Sequence, residues 1–127
     1  MLNLALVAVG GAFGSVARYL LNDRVRGWLG TGWPTGIFTI NVAGGLLMGL
    51  LVGYLAQRGG ADQERWRVLI GVGVLGGFTT FSAFSLDVAL LVERRAYMLA
   101  AAYSLGSVVV SVAALFAGLF LMRRLFA

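Results

Sequence analysis

The sequence predicts an all-α integral membrane protein built from four transmembrane helices. Its 127 residues are 60% hydrophobic and only 12% charged, which leaves too few polar side chains to cover a soluble domain of this size. The apolar residues form four long runs, each close to or above the roughly 20 residues that a helix needs to cross the hydrocarbon core. Short, arginine-rich connections separate the runs. We therefore interpret residues 1–127 as a single four-helix transmembrane domain.

Residue types on which many enzymes and metal sites depend are absent. The sequence contains no cysteine and no histidine, which excludes disulfides, thiolate chemistry and imidazole ligands. All ten basic residues are arginines, and the five acids are Asp23, Asp62, Glu64, Asp87 and Glu93. We therefore expect a protein that is not an enzyme. The net charge of +5 is interpreted as membrane-flanking arginines rather than as a surface for nucleic acid.

The four spans are predicted from the apolar runs and from the residues between them. In chain order they cover residues 2–21, 35–56, 67–92 and 97–122. Trp28, Trp33 and Trp66 fall in or beside the connections, where interfacial tryptophans are expected. Pro34, the only proline, precedes the second span and suits the start of a helix.

Glycines at a spacing of four residues predict close helix packing in the first two spans. The first span has Gly10 and Gly14, and the second has Gly45, Gly49 and Gly53. Small residues at this spacing let membrane helices approach closely, where lipid offers no hydrophobic drive for association. Packing inside the bundle accounts for most of these glycines. Self-association is also expected, because one subunit of this size encloses no wide lumen.

The distribution of arginines predicts two opposite orientations in the membrane. An even number of spans places both termini and the middle connection on one face. That face carries Arg58, Arg65, Arg67, Arg123 and Arg124, and the other carries Arg24, Arg26, Arg94 and Arg95, with Arg18 near the end of the first span. Arginine bias normally sets orientation, and here almost none exists. Dual topology is therefore expected, the alternative being that an insertion factor or one dominant connection decides.

The middle of the third span is too polar and too rich in glycine for a lipid-facing helix. It reads GVLGGFTTFSAFS over residues 73–85. Irregular backbone survives at membrane depth only when it is buried in protein or lines a cavity. We therefore predict a broken third helix that forms part of an ion or substrate site.

Polar side chains in the second and fourth spans are candidates for the same site. Asn41 needs hydrogen-bonding partners inside the membrane, and interhelical adhesion and a pore role explain it equally well. Tyr103, Ser107 and Ser111 stand at i, i+4 and i+8, so they share one helix face. They could present a file of hydroxyls to a passing ion, although packing remains the alternative.

The aromatic and charged residues near membrane depth favour a small anion. Phe81 and Phe84 share a face, and the positive ring edge attracts anions weakly. No arginine lies at the centre of a span, which suits passage because a tightly held ion would not leave. Arg18 and Asp87 lie toward span ends, where snorkelling explains both. Arg18 is alternatively a residue of a pore vestibule that concentrates anions.

Three segments, in this order, resemble the Fluc fluoride channels, also called CrcB proteins: GGAFGSVARY (10–19), GIFTINVAGG (36–45) and GVLGGFTTFSAFS (73–85). The similarity covers essentially the whole chain, and the third motif is highly specific. The resemblance implies passive, selective export of fluoride across the inner (cytoplasmic) membrane, which relieves fluoride toxicity. It also implies a dual-topology homodimer of antiparallel four-helix subunits with two separate pores and surrounding membrane lipid.

The resemblance also assigns roles to individual residues. The fluoride pathway would comprise Asn41, Phe81, Phe84, Tyr103, Ser107 and Ser111. In the family, this polar track often continues one turn further with a hydroxyl residue, whereas this chain has Leu115. The family also holds a structural sodium ion at the dimer interface through backbone carbonyls. Here those carbonyls would be the ones of Gly76 and Thr79.

Two other functions are alternatives to a fluoride channel. A small multidrug-type, proton-coupled exporter can also be a four-span antiparallel dimer, but it needs an intramembrane carboxylate. The predicted first span has no acid, and Asp87 lies near the end of the third. A non-conducting assembly factor would explain the glycines but not the predicted break or the file of hydroxyls.

Overall fold

The structure, a computed structural model, describes residues 1–30, 32–58 and 60–126. Every regular element in these ranges is helical, and four stretches are long and apolar enough to cross a membrane. These stretches, called the first to fourth spans below, are Leu2–Leu29, Thr35–Arg58, Gln63–Glu93 and Tyr97–Phe126. The prediction of an all-α, multi-pass membrane protein is therefore confirmed.

The first span is one helix, α1 (Leu2–Leu29), which continues well beyond the predicted end at residue 21. Gly30 ends it with a φ of 90°, and its N–H donates to the carbonyl of Arg26 at 3.0 Å. The predicted end of the span at residue 21 was placed at the change from apolar to charged residues. That change does not mark the end of the helix, since no proline interrupts residues 22–29.

The second span is helix α2 (Thr35–Arg58). The third begins with α3 (Gln63–Trp66), which continues as a π-helix (Arg67–Leu75) and then as α4 (Gly76–Phe78). Helical structure resumes at α5 (Ser82–Glu93), and the fourth span is α6 (Tyr97–Phe126). The turn between α5 and α6 places Arg95 at a φ of 60°.

Helices α2 and α6 run parallel and touch through backbone at the predicted glycines. A Cβ atom added to Gly45 would lie 2.6 Å from the carbonyl oxygen of Ser111, and one added to Gly49 would collide with that of Leu115. Gly53 lies against Met122 in the next turns. These glycines therefore serve packing within the subunit, as expected for small residues in membrane helices.

The first and third spans form a second parallel pair. A Cβ added to Gly10 would lie 2.5 Å from the carbonyl oxygen of Leu69, and one added to Gly14 would collide with that of Val74. Between the two pairs, Phe78 packs with Ile37 and Ile40 in a small buried cluster. Large apolar side chains cover the outside of the subunit, for example Phe13, Phe116 and Phe120. Such a surface fits lipid or another subunit rather than water.

Candidate functional site

The third span is interrupted between Phe78 and Ser82. Thr79 has an extended backbone, with φ −83° and ψ 157°. In an uninterrupted α-helix, the N–H of Thr80 would donate to the carbonyl of Gly76, and that of Ala83 to the carbonyl of Thr79. Instead, the Thr80 N–H donates to Asn41 Oδ1 at 3.0 Å, and the Ala83 N–H donates to Thr80 Oγ1 at 3.1 Å. The carbonyls of Gly76 and Thr79 thereby lose their usual helical donors.

Asn41 holds both main-chain groups of Thr80. Its Oδ1 accepts the Thr80 N–H, and its Nδ2 donates to the Thr80 carbonyl oxygen at 3.1 Å. The main chain itself fixes which end of the amide is oxygen, because an N–H can only donate and a carbonyl can only accept. The amide thus joins α2 to the interruption, as the adhesion hypothesis requires. One hydrogen of its Nδ2 is left for another acceptor.

The interruption, α2 and α6 together line an open cleft of about 590 Å³. We call it the neutral cleft because none of the described side chains that line it is ionisable. It brings together most of the predicted site residues: Asn41, Gly76, Thr79, Phe81, Phe84, Ser107 and Ser111. Leu115, Met48 and Val112 also line it, so its wall beyond Ser111 is apolar. Neither Tyr103 nor Arg18 belongs to its lining.

Ser107 and Ser111 have buried hydroxyl oxygens with no hydrogen-bond partner among the described residues. Neighbouring serines behave differently. Ser104 donates to the carbonyl of Ala100 at 2.7 Å, and Ser85 donates to that of Phe81 at 2.9 Å, which is the usual arrangement in a helix. A buried polar group without a partner is uncommon and calls for an explanation such as a bound ion or water. The two hydroxyls therefore have hydrogen-bonding capacity that no described residue uses.

The aromatic side chains form a row from the neutral cleft toward one end of the subunit. The ring centroids of Phe81 and Phe84 are 5.6 Å apart, and those of Phe84 and Tyr103 are 5.2 Å apart. Trp33 continues the row with an edge contact to Tyr103. Phe81 is 76% exposed in the single subunit, so most of its ring projects away from the chain.

Tyr103 forms a hydrogen bond that the sequence analysis missed. Its hydroxyl donates to Asp87 Oδ2 at 3.1 Å, so Asp87 does not simply snorkel toward the interface as expected. The two residues face each other because they are equally far in sequence from Arg95, in the turn of the α5–α6 hairpin. That symmetry about a tight turn is the signal that could have revealed the pair.

Asp87 also lines a second cavity, of about 570 Å³, which we call the charged cavity. Its ionisable lining residues are Arg26, Asp87, Glu93 and Arg94, and Asn22 and Trp33 also face it. It lies at the end of the spans that includes the α5–α6 turn. Arg18 lines neither this cavity nor the neutral cleft, and its side chain is partly exposed on α1.

Clusters of acidic, histidine or cysteine side chains that could hold a metal are lacking in the part of the chain that the structure describes. No group of three or more acidic residues comes together there, and the sequence has no histidine or cysteine. The oxygen atoms that a cation could use at the interruption are the hydroxyls of Thr79, Thr80 and Ser82 and the main-chain carbonyls. Those of Gly76 and Thr79, which have lost their helical donors, suit a hard cation.

Comparison with known proteins places the chain in a family. Residues 5–119 match the family model described as CrcB-like protein, Camphor Resistance (CrcB). The chain is similar to the fluoride-specific ion channel FluC of Phenylobacterium zucineum (strain HLK1), with 68% identity over 98% of both chains. It is 61% identical to FluC of Caulobacter sp. (strain K31), over 99% of this chain and 98% of the relative. FluC of Caulobacter vibrioides (strain NA1000 / CB15N) is 58% identical over 100% of both chains. The chain therefore belongs to the CrcB family, whose relatives named here are ion channels rather than enzymes, as its motifs predicted.

Proposed function

We propose that this protein is a passive, fluoride-selective ion channel that exports fluoride across the inner membrane and relieves fluoride toxicity. The names of its relatives support fluoride as the ion. The observation that carries the proposal is the pair of buried hydroxyls, Ser107 and Ser111, which have no hydrogen-bond partner among the described residues and belong to residues that line the same cleft as Asn41.

The neutral cleft has the chemistry needed to move a small, strongly hydrated anion. Hydroxyl and amide hydrogens replace part of the hydration shell, and the ring edges of Phe81 and Phe84 add weak attraction. No arginine lines the cleft, so an ion that sheds its water there is not trapped by a fixed positive charge. Uncharged hydroxyl and amide donors therefore allow the anion both to bind in the cleft and to leave it.

Asn41 combines the two roles that the sequence left open. Its clamp on Thr80 maintains the interruption of the third span, which keeps the wall of the cleft in place. Its second Nδ2 hydrogen is the donor that a bound anion would use. The Asp87–Tyr103 pair forms the link between this pathway and the charged cavity, whose lining carries two arginines and two acids. Arg18, which lines neither cavity, would add positive charge at the vestibule of the pore.

The channel is a dual-topology homodimer of antiparallel subunits with two pores, one along each file of hydroxyls. The balanced arginines support insertion in both orientations. The exposed ring of Phe81 supports a partner, because a subunit that places this ring against the cleft of its neighbour would bury it. Each pore then draws residues from both chains.

The dimer centre holds a structural sodium ion. The carbonyls of Gly76 and Thr79, which lack their helical N–H donors, are ligands of the type that a sodium ion prefers, and two subunits would supply four of them. The ion's contribution is to neutralise these carbonyl dipoles and to fix the two interruptions against each other. The anion passes beside this centre, along Asn41, Ser107 and Ser111.

Efflux from liposomes tests the function. The purified protein, reconstituted into vesicles loaded with fluoride or chloride, is expected to release fluoride rapidly once valinomycin provides a counter-current of potassium. Chloride should stay inside, and a pH gradient should leave the fluoride rate unchanged. Fluoride release equal to that of protein-free vesicles would contradict the proposal. Release that requires an inward proton gradient would instead favour the proton-coupled exporter.

A further inference from the structure

A cluster of arginines at the far end of the molecule has no part in the proposed pathway. Helices α2 and α6 run parallel, so their C-terminal ends lie at the same membrane face, where Gly53 packs against Met122. This end carries Arg58 on α2 and Arg123 and Arg124 on α6. These three arginines lie at the opposite end of the spans from the charged cavity, and none of them lines the neutral cleft.

The positive charge of this cluster is not neutralised within the described residues. The two acids on this face, Asp62 and Glu64, are engaged by arginines close to them in sequence. Arg65 lies 3.9 Å from Asp62, and Arg67 lies 2.8 Å from Glu64. The other acids, Asp23, Asp87 and Glu93, lie toward the opposite face. Arg58, Arg123 and Arg124 form no ion pair in the described part of the chain.

Two of these arginines form cation–π contacts with aromatic rings on their own helices. The guanidinium carbon of Arg58 lies 5.4 Å from the ring centroid of Tyr54, and that of Arg124 lies 5.0 Å from the ring of Phe120. A cation–π contact of this kind uses no N–H hydrogen bond, so the N–H groups of the guanidinium remain free to donate. The rings of Tyr54 and Phe126 meet edge to face at 5.5 Å, which ties the two helix ends together. The free donors are thus partly ordered before any ligand binds.

The chemistry of this surface fits one ligand class. A guanidinium presents paired donors that match the oxygens of a phosphate. Below Arg124, the rings of Phe116 and Phe120 are 64% and 59% exposed and stand one helical turn apart. A ligand with a phosphate at headgroup depth and a hydrocarbon chain beneath it would contact both the guanidinium groups and the exposed phenylalanine rings. Uncompensated positive charge favours a ligand with net negative charge.

We propose that the C-terminal ends of α2 and α6 form a binding site for an anionic phospholipid. Arg58 and Arg124 hold the headgroup phosphate, Arg123 adds charge, and an acyl chain lies along Phe116 and Phe120. The site needs neither fluoride conduction nor dimerisation. In the alternative, the arginines only cap the last carbonyls of their own helices, and no lipid class is preferred.

Titration of the purified full-length protein with phosphatidylglycerol or phosphatidylcholine, followed by native mass spectrometry, tests the site. Each arginine near an anionic surface contributes roughly a fivefold effect, so Arg58→Gln with Arg124→Gln should weaken phosphatidylglycerol binding about 25-fold. The matched control, Arg65→Gln with Arg67→Gln, removes the same charge from the same face and should bind almost as the unchanged protein does. Inorganic phosphate should not displace the lipid, because it lacks the acyl chain.

A second variant, which conserves the charge, tests whether weaker phosphatidylglycerol binding reflects loss of the guanidinium donors rather than loss of folding. Arg58→Lys with Arg124→Lys keeps the charge but loses the planar donors, and it should bind phosphatidylglycerol less tightly than the unchanged protein. Equal losses in the Arg58/Arg124 and Arg65/Arg67 pairs would overturn the site and leave only general surface charge. Equal binding of the two lipids would overturn it as well. Fluoride efflux is measured on the same samples, so a failure of the channel proposal would be seen separately.

Discussion

The neutral cleft and the charged cavity have almost the same volume, about 590 and 570 Å³, but opposite linings. The charged cavity presents two arginines and two acids, whereas the neutral cleft presents an amide, hydroxyls and aromatic rings. The Asp87–Tyr103 hydrogen bond and the Phe84–Tyr103 ring contact lie between them. The two cavities thus differ in the charge of their lining residues rather than in size. We expect charged side chains to act where water still screens them, and neutral donors to contact the ion where a fixed charge would hold or repel it.

Placing a charge in the neutral cleft should have the largest effect. Asn41→Asp keeps an acceptor for the Thr80 N–H but loses the donor and adds a negative charge beside the pathway. A like charge a few ångströms away costs about 4 kcal/mol in a partly screened site, so fluoride efflux should fall at least about 100-fold. Asn22→Asp makes the same change in the charged cavity and should reduce efflux far less. Comparable losses in both variants would remove the distinction between the two cavities.

Removing the unsatisfied hydroxyls should have the next largest effect. Ser107→Ala with Ser111→Ala deletes two donors, each contributing about 1 kcal/mol or somewhat more to a bound anion, and should slow fluoride efflux by about 30-fold. Thermal stability should change little, because these hydroxyls bond to nothing among the described residues. Ser104→Ala is the control, since Ser104 bonds to its own helix. An efflux rate unaffected by the double change would show that the file of hydroxyls is not the path.

Moving the wall of the neutral cleft should affect stability more than selectivity. Gly49→Ala forces a Cβ against the carbonyl of Leu115, so α2 and α6 must separate, at a cost of about 1–3 kcal/mol. Gly11→Ala is the matched control, because nothing lies within 4 Å of a Cβ added there. Thermal unfolding in detergent measures both variants. A melting temperature for Gly49→Ala equal to that of Gly11→Ala would contradict the close packing of α2 and α6.

Extending the hydroxyl file should have the smallest effect. Leu115 lines the neutral cleft one helical turn beyond Ser111. Leu115→Thr adds one donor there, and a single neutral donor contributes about 1 kcal/mol, so fluoride efflux should rise about fivefold at most. Leu115→Val, of similar shape but without the hydroxyl, is the comparison. If Leu115→Thr and Leu115→Val raise fluoride efflux equally, the increase results from the smaller side chain rather than from the added hydroxyl.

Much of the architecture could be predicted from the sequence because it depends on local patterns. Long apolar runs determine the spans, and a spacing of four residues places Ser107 and Ser111 on one face whatever the rest of the chain does. The glycines of the second span were predicted to pack closely, and they contact α6. These features need only the period of a helix and the thickness of a membrane.

The features that were missed depend on contacts between distant parts of the chain. The two hydrogen bonds between Asn41 and Thr80 span 39 positions, and nothing local pairs these residues. The bond between Tyr103 and Asp87 crosses a hairpin, and the helical stretch 22–29 lies beyond the apolar run that marks the first span. The roles of Arg18 and of the carbonyls of Gly76 and Thr79 remain predictions.

The central claim is that an anion crosses through neutral donors and that this anion is fluoride. The most direct measurement is the reversal potential of currents through the purified protein in a planar bilayer, with fluoride on one side and chloride on the other. The account predicts a current that fluoride alone carries, so that the potential is displaced strongly in the direction set by the fluoride gradient. A reversal potential near zero, which would mean equal passage of both halides, would contradict it.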